Sequence, residues 1–397
     1  MHLENTYHLT YCTNIHPGQN WKRTFESLKQ HVPAIKKATS NDKAFGLGLR
    51  LSNTASKELN EGNNRAQFKA WLEEQQVYVF TMNGFPYGNF HNERVKDQVH
   101  APDWTTPERL IYTKRMFEQL AFLIPEGISG GISTSPISYR HWHQGADAKK
   151  AAFVKGAEQL AEIVWQLASI EKESGKYLHL DIEPEPDGLL ENSDEVVHFF
   201  TTYLLPIAVP VLMEQLGVEE SQAKAKILRH ITICYDICHF SLAYEAPQYT
   251  IEKFERHGIQ IGKIQVSAAL KILFKEGNKE AIWNSLAKFD EPTYLHQVTE
   301  KINGTVRTYN DLPVVLARKS NFSELRAHFH VPIFLEAFDE LYSTQDQILN
   351  LLKYMETHKV SEHLEIETYT WEVLPTALKT DLTTSIIREI NWLKEKL

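Results

Sequence analysis

Residues 231–240 read ITICYDICHF, an apolar, β-prone run that carries Asp236 and, three residues on, His239. An ionised carboxylate among isoleucines, aromatics and cysteines is costly unless something cationic meets it. Other acids occupy similar settings: Glu183 closes YLHLDIE and Glu367 lies in HLEIETYTW. Gln265 sits in GKIQVSA and Arg50 ends FGLGLR. Carboxylates crowded into one apolar place cannot all ionise without a cation among them. Carboxylate and amide oxygens suit Mg2+ or Mn2+ best, and metal-assisted proton transfer is the chemistry such a group would support.

The elements that must position these residues alternate along the chain. Strand candidates are 7–14, 45–52, 77–84, 130–138, 177–183, 231–236, 262–268 and 363–371. Helical patterns lie between them. Thr106 precedes Pro107 as a helix start, and Thr344 stands three residues before Gln347 in a capping-box pattern. Further helices are expected at 146–170 and 193–216, and the closing TTSIIREINWLKEKL is amphipathic. Eight strands with helical crossovers predict an α/β fold, a (β/α)8 TIM barrel. A doubly wound sheet is the alternative, but no GxGxxG or GxxxxGK[ST] follows the first strand. A barrel needs about 250 residues, so the 397-residue chain leaves room for insertions after strand three (85–105) and strand seven (about 270–340). No internal repeat or low-complexity linker divides the chain, so 1–397 reads as a single domain.

Side chains alternate across a strand. Leu178, Leu180 and Ile182 take the outer face of strand five, leaving His179, Asp181 and Glu183 inward. Strand six directs Thr232, Cys234 and Asp236 inward, strand seven Gln265 and Ser267, and strand eight Glu365 and Glu367. Strand two leaves Gly46, Gly48, Arg50 and Ser52, while Asn14 and Asn83 end strands one and three on the inner side. A barrel interior is ordinarily filled by bulky branched residues. Here it is small or polar, and the most polar members lie at the C-terminal ends, where barrel enzymes place their sites. Other readings exist for each residue alone. A DxxH pair is often a helix cap, Asp236 could pair with Arg50, and Glu183 before PEPDG could belong to a surface turn. The recurrence of an acid or amide at equivalent strand ends favours one joint site.

The composition, 42% hydrophobic and 23% charged, is that of a soluble globular protein. A net charge of −9 without a basic run argues against nucleic acid as a partner. Three cysteines, Cys12, Cys234 and Cys238, and no signal-like N-terminus point to the cytoplasm. No run reaches the roughly 18 apolar residues of a transmembrane segment.

LDIEPEPDG, YDICHFSLAYE and ETYTW resemble the strand-end signatures of xylose isomerase-like barrels, which include sugar isomerases, epimerases and endonuclease IV. The resemblance implies divalent metal held by an acid after strand five, a DxxH after strand six, a histidine after strand seven and a glutamate after strand eight. Carried over, these are Glu183, Asp236 with His239, and Glu367. The strand-seven histidine is missing and Gln265 stands there, which favours Mn2+ or Mg2+ over Zn2+. Over nearly the full length, LTYCTNIHPG, VYVFTMNGFPYGNFH, VKDQVHAPDW, KIQVSAAL and AHFHVPIF resemble the EboE family of metabolite traffic proteins. That resemblance implies a secondary-metabolite pathway and a functional link to a UbiA-like prenyltransferase; it supplies no mechanism.

Further polar clusters lie near the same rim. The stretch 83–104 after strand three, rich in aromatics, glycine and histidine, reads as a lid or a packed surface loop. His16 follows Asn14, and the second insertion offers His296 and the HxH pair His328 and His330, of which His296 or His330 is expected to fold over the site. These observations lead to a metal-dependent isomerase or epimerase acting on a polyol-like small molecule, a sugar or cyclitol. Glu183 and Glu367 are the expected proton-transfer residues, and Glu183, Asp236, Gln265 and Glu367 the expected metal ligands. Asn14, His16, Arg50, Asn83, His239, His296 and His330 are the expected substrate contacts, with Arg50 also balancing charge. The rival readings are a carrier that binds such a precursor without turnover, and a phosphodiesterase like endonuclease IV.

Overall fold

The eight expected strands pair in one sheet in the computed structural model, which describes residues 1–3, 7–88, 96–274, 278–368 and 381–397. They are β1 (Tyr7–Tyr11), β2 (Phe45–Arg50), β3 (Val77–Asn83), β4 (Gly130–Thr134), β5 (Leu178–Ile182), β6 (Ile231–Asp236), β7 (Ile261–Val266) and β8 (His363–Ile366). Their order is β1-β8-β7-β6-β5-β4-β3-β2, with parallel neighbours throughout. A bridge between Cys12 and Gly48, with the Gly48 amide donating to Thr10 Oγ1 over 2.9 Å, nearly closes β1 onto β2. Parallel strands need long crossovers, and helices such as Trp21–Thr39, Pro107–Leu123 and Gly145–Ser174 supply them. The chain is an α/β TIM barrel.

The alternation read from the strands is the one the fold uses. Leu178, Leu180, Ile182, Ile231, Ile233, Ile264, Val266, Leu364 and Ile366 are buried in the hydrophobic core. Thr106 and Thr344 stand at helix N-termini without bonding their helices through the side chain. The Thr344 hydroxyl accepts from the Ala269 amide at 2.8 Å instead, so the capping box does not form. The crossover 193–216 is a helix long and apolar enough, by length and composition alone, to span a membrane. In the fold it packs against the helices Gly145–Ser174 and Glu220–His230.

Between β7 and the helix Gln345–Met355 the chain builds a second, antiparallel sheet. Its strands run in the order Thr305–Tyr309, Val298–Ile302, Glu324–Ala327, Leu270–Leu273, Leu341–Ser343, Ala337–Phe338. Val331 N donates to Ala268 O and His328 N to Gln297 O, each at 2.9 Å. These bonds lay the stretch His328–His330, just past a strand end, against the barrel.

Polar pairs fill the barrel axis. His179 Nδ1 lies 2.6 Å from Asp181 Oδ1, which also accepts from Thr232 Oγ1 at 2.5 Å. In the next layer the Lys263 ammonium donates to Glu365 Oε2 at 2.5 Å and to Ser133 Oγ at 3.0 Å, with Lys263 and Glu365 both fully buried. A Cβ on Gly48 would stand 1.8 Å from Glu365 Oε1, and one on Gly262 2.0 Å from Asp181 Oδ1. These two positions are glycine because a carboxylate occupies the space. Burial lowers the proton affinity of Lys263, but Glu365 beside it, with Cys234, Cys12 and Glu183 adding to it, outweighs burial and raises it well above the ordinary value. Removing one partner of a buried pair costs about 3–5 kcal/mol, because the other charge is left uncompensated. Lys263→Met should lose that much in denaturant unfolding, and Lys263→Met/Glu365→Gln should recover most of it. Equal losses in the two variants would contradict a compensating pair.

A candidate metal centre at the barrel mouth

Three carboxylates meet at the C-terminal end of the barrel. Glu183 follows β5, Asp236 ends β6 and Glu367 follows β8, and one oxygen of each lies within 4.8 Å of the others. All three are buried. Asp236 Oδ1 accepts from Ser267 Oγ at 2.6 Å and from the His239 amide at 3.2 Å, so Asp236 caps the short helix Ile237–Leu242. Its Oδ2 lies 3.8 Å from His239 Nε2 and 3.9 Å from His330 Nε2. The DxxH spacing is thus a helix cap through one oxygen and a site group through the other. Glu367 Oε1 accepts from Asn14 Nδ2 at 2.8 Å and Asn83 Nδ2 at 3.0 Å.

Burial, then the neighbouring Glu367 and Asp236, push the Glu183 carboxyl well above the ordinary carboxylate range. Burial does the same to Glu367, with Asp236 and Glu365 adding to it. For Asp236 burial pushes upward too, but His239, His330, Ser267 and the His239 amide outweigh it and hold the group below its ordinary value. Glu183 Oε2 and Asp236 Oδ2 accept no hydrogen bond from any described residue. Two buried acceptor oxygens without donors, within reach of a third carboxylate, form a donor set that fits a hard divalent cation.

The expected contacts are distributed unevenly. Asn14, Asn83 and His239 border a cavity of about 70 Å3 with Glu183 and Glu367. His330 donates from Nδ1 to Glu367 O at 2.8 Å, which directs the ring at the site. Gln265 does not join the carboxylates: its Oε1 accepts from the Cys234 thiol at 2.6 Å. Arg50 does not balance them either. Its guanidinium donates to Gly18 O at 3.3 Å, Pro86 O at 3.4 Å and Gly88 O, so it ties down the loops after β1 and β3. His16 turns to the Tyr11 hydroxyl at 2.9 Å and stacks on His31. His296 lies 2.8 Å from His328 O and 2.5 Å from Glu291 Oε1, away from the cavity.

Sequence reasoning missed several residues that line the cavity. Glu185 and His100, paired at 2.9 Å, are two of them, while His328 of the HxH pair lines the cavity as well. The second acid of EPEPDG was a usable signal for Glu185. Of the stretch 83–104, Phe85, Pro86, Lys96, Val99 and His100 border the cavity. Residues 89–95 of that stretch, and 369–371 of the strand-eight motif, lie outside the described residues.

No protein-family model matches the chain, and no curated protein matches it. Solved structures do. A xylose isomerase-like TIM barrel protein from Mycobacterium smegmatis, in complex with magnesium, is 8% identical with a TM-score of 0.50, covering 100% of this chain and 98% of that one. A D-tagatose 3-epimerase-like protein is 10% identical with a TM-score of 0.49, covering 98% and 96%. An IolI protein with a bound zinc atom is 12% identical with a TM-score of 0.44, covering 98% and 95%. At these identities the likeness shows the fold.

The loop clamp leads to a test. Hydrogen bonds from a buried charged donor contribute about 1.5–3 kcal/mol each, and the partners of a deleted donor are left unsatisfied. Arg50→Met should therefore lower stability by at least that amount and speed hydrogen exchange in segments 16–19 and 84–88. Unchanged exchange there would show that Arg50 does not hold these loops.

Proposed function

We propose that this xylose isomerase-like barrel is a divalent-metal-dependent isomerase or epimerase acting on a small polyol-like substrate, a sugar or cyclitol. The observation that carries the reading is the meeting of Glu183, Asp236 and Glu367 in a buried pocket, with acceptor oxygens left undonated on Glu183 and Asp236. Those three residues would hold the cation, with Mg2+ or Mn2+ suited to their oxygens. When bound, it supplies Lewis acidity to neighbouring substrate oxygens.

The residues themselves set up the proton chemistry. A carboxyl whose proton affinity is raised by burial and like charge is matched to work near neutral pH. Burial and neighbouring carboxylates raise the proton affinity of both Glu183 and Glu367. They exchange a proton with the substrate carbon next to a carbonyl, one withdrawing it and the other returning it. Asn14 and Asn83 fix one oxygen of Glu367 and leave the other to act. His239, anchored by Nδ1 to Pro184 O at 2.9 Å, positions the substrate. The cavity, about 70 Å3, suits the hydroxylated end of a small molecule. The strings that resemble the EboE family support a secondary-metabolite pathway, in the cytoplasm and beside a UbiA-like prenyltransferase, as the setting.

The test is turnover of a panel of ketoses, aldoses and cyclitols in D2O with Mn2+ or Mg2+. Product should carry solvent deuterium at the exchanged carbon, and Glu183→Gln or Glu367→Gln should lower the rate about 10²–10⁴-fold. Product free of deuterium would contradict proton transfer. Binding without turnover of any panel member would leave a carrier.

A further inference from the structure

We infer a second small-molecule site at the N-terminal end of the barrel, where a cavity of about 610 Å3 takes an uncharged, largely apolar molecule whose hydroxyl bonds His179. Barrel enzymes keep their chemistry at the C-terminal end, so this site is independent of the carboxylates at the mouth. Its volume falls within the roughly 300–1,000 Å3 of small-molecule pockets.

Four strands border the cavity near their N-terminal ends, through His179 of β5, Thr232 of β6, Gly262 of β7 and His363 of β8. The opposite half of the axis is filled. There Phe80 of β3 packs on His8 and His363, with ring centroids 5.2 and 5.0 Å away. A Cβ on Gly46 would stand 2.7 Å from the Met1 nitrogen. Under β5–β8 the axis instead opens into the cavity, and two imidazoles border it.

His179 Nδ1 lies 2.6 Å from Asp181 Oδ1. A carboxylate only accepts, so the neutral ring carries its hydrogen on Nδ1 and its lone pair on Nε2. That Nε2 bonds no described residue. A Cβ on Gly262 would stand 2.5 Å from His179 Nδ1, and one on Gly131 2.4 Å from its Cε1. The ring is therefore wedged between two glycine backbones and held in one orientation. His363, its centroid 5.2 Å from that of His179, meets Ser129 Oγ through Nε2 at 3.1 Å. Its buried Nδ1 has no partner among the described residues, and burial, with His179, His8 and Lys263 adding to it, keeps the ring neutral. Buried polar atoms are normally bonded. A hydroxyl both donates and accepts, so it can serve both rings.

The rest of the lining sets the body of the ligand. Ile251, Phe254, Ile259 and Ile261 are buried apolar residues at the cavity. Lys359, the cavity's ammonium, already donates to Glu362 Oε1 at 2.6 Å. An anion would find no free ammonium there and would face the His179 lone pair. An apolar body ending in a hydroxyl meets both parts of the wall.

The experiment is fluorescence titration of the full chain with 2-naphthol and, as a control without the hydroxyl, naphthalene. One equivalent of 2-naphthol should bind at least about 10-fold tighter than naphthalene, in the wild type and equally in Glu183→Gln/Glu367→Gln. Val360→Trp, at the half-buried rim, should abolish binding, and His179→Leu should remove the preference for the hydroxyl. If His179→Leu fails to fold, nitrogen NMR of the wild type still reads the contact. The His179 Nε2 resonance should move with 2-naphthol and stay in place with naphthalene. No binding up to the solubility limit, no preference over naphthalene, or an unmoved Nε2 resonance would overturn the inference. Binding kept in Val360→Trp but lost in Glu183→Gln/Glu367→Gln would put the probe at the mouth and overturn it equally.

Discussion

Burial of carboxylates along the barrel axis is the constraint from which the rest of the structure follows. An ionised group taken out of water costs several kcal/mol unless a partner stands next to it. Asp181 has His179 and Thr232, and Glu365 has Lys263. Glu367 has the amides of Asn14 and Asn83, while Asp236 has Ser267 and the start of its own helix. Glu365 and Asp181 fill the axis at their levels, which is why Gly48 and Gly262 face it where branched residues would otherwise pack. At the C-terminal mouth oxygens of Glu183 and Asp236 stay without donors, as one oxygen each of Asp181 and Glu365 does deeper in the axis. Among the described residues, only at the mouth do three carboxylates meet.

The barrel and the inserted sheet divide the work at that mouth. Oxygen donors come from the strand ends of the barrel, the most rigid positions available for a site. Imidazoles come from His239, at the first turn of a helix, and from His328 and His330, just past a strand of the second sheet. Both arginines near the mouth are spent on backbone carbonyls. Arg50 holds the loops after β1 and β3, and Arg109 donates to Gly84 O at 2.6 Å, Phe85 O at 3.0 Å and Pro102 O at 2.7 Å. They shape the entrance and leave the charge of the acids to be met by something else.

Strand positions, the eight-fold count and the convergence of Glu183, Asp236 and Glu367 were legible because period-two alternation assigns a face to each residue. The same rule puts Lys263 inward, two residues before Gln265, so that signal was present and unread. Gln265 was misassigned because parity gives a face but no height or direction, and the nearest acceptor need, that of the Cys234 thiol, claimed its oxygen. The roles of Arg50, His16 and His296 were not legible at all. Their partners are Gly18 and Gly88 carbonyls, Tyr11 and Glu291, and loop geometry decides such pairings. The HxH motif showed two imidazoles close together, but only the bonds of Val331 to Ala268 and His328 to Gln297 bring His330 to Asp236 and His328 to His239.

The most direct test of the central claim is an anomalous-scattering map at the manganese edge from crystals soaked in Mn2+. The account predicts a peak about 2.0–2.6 Å from carboxylate oxygens of Glu183, Asp236 and Glu367. A map with no peak at those three residues, at a soak concentration that saturates binding in solution, would contradict it.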